Sequence, residues 1–267
     1  MASRALISGG LSSAIRFLAP AWSQAWAAIG VASLVLGFIL AQRLWSPHSP
    51  WRFEGLLLAV IAVLIVEGGL YRLALGKGRL GAGGLGWGLT QWRLSAVWGL
   101  NLVFLFVLGL LAFVVILAFA FAVASSGHGF VLALPMTWAR GVDGRSRLVV
   151  EVVGVLCLAG LIWAGTRVSL GSAASVAGDR IQMLSSWPDT RGKVVAILLA
   201  RLCLGAVPIG FAGAILFVID KTPGLAPALV WAVSLAAGAA IAGLWLPLSV
   251  GLMAYFYQTR TNSSPQS

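Results

Sequence analysis

Residues 95–125 contain not one ionisable side chain. Continuous apolar runs of about 20 residues or more read as transmembrane helices. At 1.5 Å per residue this run would reach about 45 Å. Five further apolar runs are present, at about 22–41, 53–75, 148–167, 194–219 and 225–257. The expected fold class is all-α, a polytopic membrane protein of about six transmembrane helices in three hairpins, with short amphipathic interfacial helices. The third and sixth runs are longer than a hydrocarbon core of about 30 Å requires, so they must tilt, kink or protrude. Pro208 and Pro247 give the fifth and sixth runs a place to bend.

Composition excludes a water-soluble globule. Sixty per cent of the residues are hydrophobic and 9% are charged, against about 25% charged in soluble domains. Mean hydropathy is +0.98. The net charge of +11 would suggest nucleic acid in a soluble protein. Here the cations sit between apolar runs, where they orient helices and meet anionic headgroups; no nucleic-acid partner is expected.

Cationic residues also set the expected orientation. With the N-terminus cytoplasmic, that side collects eleven: Arg4, Arg16, Arg72, Lys77, Arg79, Arg93, Arg167, Arg180, Arg191, Lys193 and Arg260. The other side collects six: Arg43, Arg52, Arg140, Arg145, Arg147 and Lys221. Both termini are therefore expected inside. Membrane lipids, with anionic headgroups at the cytoplasmic face, are the expected partners; a protein partner or homo-oligomer stays open.

Three divisions are expected: an amphipathic segment over 1–24, one six-helix domain over 22–260, and a polar disordered tail over 261–267. In the first, Leu6, Ile7, Leu11, Ile15 and Leu18 recur at near-helical spacing, as in a helix lying on a membrane surface. The same acid-free, Arg- and Ser-containing segment also fits an organellar transit peptide. Each odd run is led by a Trp- and Arg-bearing segment and each even run ends in an arginine, a rhythm that fits three hairpins.

Candidate sites are few. Glu67 lies about 12 Å from the cytoplasmic end of its run, Arg201 about 10 Å and Asn101 about 9 Å, so the three share one depth in the inner leaflet. An ionisable group inside a membrane costs at least about 2.5–3.5 kcal/mol, and it faces the bundle interior and finds a partner. A structural Glu67–Arg201 pair fixing how two hairpins pack is the favoured reading; a polar site for an ion or headgroup is the other. Glu151 reads as a solvated end residue, without the second carboxylate that acid–base work would require.

Cys157 and Cys203 read as small buried hydrophobes. His48 and His128 are too few for a metal centre or a proton relay. No catalytic, metal-binding or cofactor-binding residue is assigned, and no cofactor is expected. Gly81, Gly83 and Gly86 match G-x-G-x-x-G, but that motif needs a preceding strand and an acidic residue downstream. A membrane run precedes these glycines, so a flexible connector is expected. Ala206, Gly210 and Ala214 in the fifth run, and Ser234, Gly238 and Ala242 in the sixth, form small-residue stripes that allow close helix approach. The tight turn between the runs favours a contact within the chain.

The connector and the tail carry a resemblance. Arg167-Val168-Ser169-Leu170, then small residues, then Leu184-Ser185-Ser186-Trp187 and Thr190-Arg191-Gly192, lead into an apolar run, and Met253-Ala254-Tyr255-Phe256-Tyr257-Gln258-Thr259-Arg260 closes the last one. The pattern resembles a bacterial six-helix membrane-domain superfamily that includes the membrane domain of some glycerophosphodiester phosphodiesterases. Pro188-Asp189 departs from it, and no phosphodiesterase domain accompanies it. The resemblance implies a six-span fold in the bacterial inner membrane and transfers no catalytic residue. The expected function is a non-enzymatic integral membrane protein, lipid-contacting or partner-binding. A small transporter or channel with an inner-leaflet polar site is the alternative. The stretch 166–201 reads as a cytoplasmic bridge and the first place to look for a partner surface.

Overall fold

Alanine-rich sequence with few β-branched residues favours helix, and α1 (Ala2–Trp45) covers 44 residues with one break, at Ala25. The computed structural model describes residues 2–45, 52–78, 80–125, 144–184, 187–222 and 226–261. Six further helices of more than one or two turns follow: α2 (Arg52–Ala74), α3 (Leu89–Ser125), α4 (Gly144–Val168), α6 (Val194–Lys221), α7 (Pro227–Ala239) and α8 (Leu246–Thr261). A short α5 (Gly171–Ala177) lies between α4 and α6. A π-helical turn over Ala240–Trp245 joins α7 to α8. The described residues contain no strand. Six segments are long and apolar enough to cross a membrane, matching the six runs.

The chain forms two compact units, residues 1–98 with 169–267, and residues 99–168. In the first, α1 is the central element, packing against α2, α6, α7 and α8. Its inner face is a row of alanines, with Ala14, Ala21, Ala25, Ala28 and Ala32 all buried. Small side chains let neighbouring backbones come close and gain dispersion contacts. A Cβ on Gly10 would lie 3.0 Å from Leu252 Cδ1, and one on Gly251 would lie 3.0 Å from Phe17 Cβ.

The segment expected to lie apart on the membrane surface is thus the first half of α1. A non-helical residue, Ala25 (φ −111°, ψ 18°), separates it from the span proper, five residues after Pro20. Leu6, Ile7, Leu11 and Leu18 pack on the core, while Ile15 is exposed. The Trp- and Arg-bearing segment that leads the third run is continuous with α3 from Leu89 onward.

The glycine-rich connector is packed, where a flexible link was expected. A 3-10 turn over Ala82–Gly84 sits against the break in α1. Gly83 (φ +61°) and Gly84 (φ +86°) adopt a conformation that side chains disfavour, and a Cβ on Gly83 would stand 2.6 Å from that of Ala27.

Part of the stretch 166–201, read above as a cytoplasmic bridge, is packed inward. Residues 171–176 are buried without exception, and Asp189 and Thr190 are buried further on. The Oγ of Ser175 accepts from the backbone N–H of Gln182 at 2.7 Å, closing the turn after α5.

The small-residue stripes meet different partners from those expected. Gly238 faces α1, and a Cβ there would stand 2.5 Å from the Gly37 amide nitrogen. Ser234 and Ala242 are buried, whereas Ala206, Gly210 and Ala214 are exposed. The approach of α6 to the π turn uses Gly205, where a Cβ would stand 2.7 Å from Trp245 Cζ3. This crossing pairs a glycine on each side, and α1 supplies Gly37 for it.

In the second unit, α4 runs beside α3. A Cβ on Gly165 would lie 3.8 Å from Leu105 Cδ2, and Cys157 Sγ lies 4.0 Å from the Ala112 carbonyl oxygen. Leu102, Phe106, Leu110 and Phe113 are exposed along α3. Glu151 is exposed, as expected, and accepts from Arg147 Nε at 2.7 Å one turn away. His48, His128, Arg140 and the tail beyond Thr261 lie outside the described residues.

Candidate functional site

Glu67 reaches the interior because α2 carries it on the same face as the buried core residues Leu70 and Tyr71. Tyr71 is four residues on, hence directly above it on that face. Gly68 lets the start of α3 come near, since a Cβ there would lie 2.8 Å from the Gln91 amide nitrogen. Gln91 is buried, and its Oε1 accepts from the Gly88 N–H at 2.9 Å. That bond satisfies one of the donors an α-helix N-terminus leaves open. Two turns along the same face of α3 comes Trp98, whose side chain hydrogen-bonds the Glu67 carboxyl.

Arg201 comes from α6, next to the buried Ile197 and Ala200. Its charge is the opposing one felt by Glu67, and it acts on Tyr71 as well. The Tyr71 hydroxyl is hydrogen-bonded by the Ser172 side chain, from the buried α5. Four elements of one unit thus converge on the neighbours Glu67 and Tyr71: α2, the start of α3, α5 and α6. Glu67 is 9% exposed and Arg201 is half-buried.

The pair read from depth alone is therefore an electrostatic neighbourhood, but no direct ion pair joins the two groups. Glu67 Oε2 and Arg201 Nε are each buried without a hydrogen-bond partner. An orphaned buried polar group carries its full desolvation cost, about 1–3 kcal/mol, so this arrangement is a polar locus that its surroundings leave incompletely satisfied. Asn101, the third residue expected here, lies on α3 in the other compact unit; its Oδ1 also lacks a partner.

Trp98, Tyr71 and Ser172 were not singled out from the sequence. Tyr71 was within reach of it, because i and i+4 share a helix face. Trp98 and Ser172 were not, because only the tertiary fold brings α3 and α5 to α2.

A second polar cluster lies beyond the apolar segments. Asp179 joins the connectors, accepting from Arg93 Nη1 at 2.7 Å and from Lys77 Nζ. Its backbone sits at φ +52°, unusual for a side-chain-bearing residue. The hydrogen bond from Lys77, with Arg93 assisting, holds its carboxyl below the usual carboxylate range.

Among the described residues no group of three or more His, Cys, Asp or Glu could hold a metal ion. No protein family, curated protein or solved structure matches the chain. Among the described residues, fold and site together define the class: all-helical, with six helices of membrane-crossing length and apolarity and an enclosed polar cluster around Glu67.

Proposed function

We propose that this chain is a non-enzymatic multi-pass protein of the bacterial inner membrane, acting as a lipid-contacting or partner-binding module. Both termini are cytoplasmic and the spans are arranged as three hairpins. The observation that supports this reading is the enclosure of Glu67. It is nine-tenths buried, with Trp98 on its carboxyl and Arg201 as its opposing charge. A carboxyl so enclosed suits a packing element that locks α2, α3 and α6 together. The motifs 167–170, 184–192 and 253–260 add kinship with the six-helix membrane-domain superfamily, for fold and location only.

A second reading has its own support. The orphaned Glu67 Oε2 and Arg201 Nε are what a small transporter or channel would present to a polar solute. Single cysteines introduced as Glu67→Cys, Asn101→Cys and Arg201→Cys, with Cys157 and Cys203 replaced by alanine, separate the two. The module predicts no labelling by a membrane-impermeant maleimide in sealed vesicles of either orientation. Rapid labelling at positions 67 and 201 would establish the transporter reading in its place.

A further inference from the structure

At the end of α2 remote from Arg72, an apolar groove opens between α1, α2 and α7. Its volume is about 720 Å³, within the roughly 300–1,000 Å³ of small-molecule sites. Leu34, Phe38, Leu58 and Trp231 form its walls. The Phe38 and Trp231 rings meet at 5.4 Å between centroids, tilted by 46°, and Leu34, Phe38 and Leu58 are all more than half exposed. Along α1 the groove extends from Leu34 to Gln42, about 12 Å at 1.5 Å per residue.

Polarity is confined to one end. Gln42 and Glu54 are the polar lining residues, and Glu54 stands in the first turn of α2. No described cation pairs with its carboxylate. The groove is thus a hydrocarbon-lined slot on membrane-length helices, with a carboxylate at its mouth that no described cation pairs.

We infer that the groove holds one acyl chain of a phospholipid whose headgroup carries an ammonium, with that ammonium at Glu54. A chain is the occupant that matches the walls, because apolar side chains on a lipid-facing surface are covered by hydrocarbon. The carboxylate supplies charge complementarity to an ammonium and repels a headgroup bearing only a phosphate. This inference rests on the lipid-contacting reading above and adds a lipid class and a location to it.

The test is native mass spectrometry of the full chain after reconstitution in vesicles of equal phosphatidylethanolamine and phosphatidylglycerol. The expected result is one retained phosphatidylethanolamine, enriched about two- to fivefold, the scale of an exposed charge pair. Glu54→Gln should keep the retained lipid and lose the enrichment. Gly55→Phe, which fills the slot beside Ile39, should lose the lipid while helicity by circular dichroism is unchanged. Equal retention of both lipids by wild type and both variants overturns the inference and leaves lipid contact standing. Absence of any retained lipid, with unchanged stability on delipidation, overturns both.

Discussion

The indole N–H of Trp22 donates to the carbonyl oxygen of Gly243 at 2.9 Å. In an α-helix that carbonyl would take its hydrogen from residue 247, and residue 247 is a proline without one. The π-helical turn over Ala240–Trp245 lies immediately before it, so the last span bends where Pro247 demands. The central helix then supplies the missing donor. Gly243 makes room for it, because a Cβ there would stand 2.7 Å from the Trp22 ring.

Trp22→Phe should therefore destabilise the protein by about 1–3 kcal/mol, the cost of an orphaned buried carbonyl. Pro247→Ala restores a backbone donor, so the loss caused by Trp22→Phe should be smaller in that background. Thermal unfolding in one fixed detergent measures the cycle; an equal loss in both backgrounds would mean that Trp22 acts through packing alone.

Gly238→Leu should separate α7 from α1, since the new side chain would meet the Gly37 backbone, which cannot swing aside. Overpacking of this kind costs about 1–3 kcal/mol or more. Gly210→Leu is the control, with open space at that position and a change of at most about 0.5 kcal/mol. Similar melting temperatures for the two variants would contradict the assigned crossing.

Glu67→Gln and Arg201→Gln should each destabilise the first unit, and the double variant should lose less than the sum. The coupling expected between interacting charges is about 0.5–3 kcal/mol. Chemical unfolding of the four proteins reads it directly. Fully additive losses would show that the two charges act independently.

Asp179→Asn should loosen the junction of the connectors, read as faster proteolysis around residues 76–93 at neutral pH. The sign with pH follows from its lowered carboxyl pKa. Protection by the carboxylate is complete above the unfolded value of about 3.9 and is lost as pH falls through the lower folded value. Wild type and variant should therefore converge only in that acid range, and convergence already at pH 6 would discount the Asp179 contacts.

Much of this architecture was legible in the residues. The six apolar runs matched six helices because hydrophobic length alone decides whether a segment can cross a membrane. Pro247 announced a bend because a missing N–H is a local property. Glu67 and Arg201 were brought together by counting residues from the ends of their runs. The residues completing that site, Trp98 and Ser172, were not legible, since they lie 31 and 105 positions beyond Glu67 in the sequence.

By itself the sequence determined that the chain is helical, where each long apolar helix lies, and which charges fall within those helices. Only the tertiary structure decided which faces meet: Gly238 with Gly37 rather than with the α6 stripe, a buried α5 within the stretch 166–201, and a groove ending at Glu54. The reason is physical. In a water-soluble helix the core face is marked by contrast with a polar face. In these helices the exposed residues are as apolar as the core, so helix contacts are chosen by backbone approach and shape, and those exist only once the helices are packed.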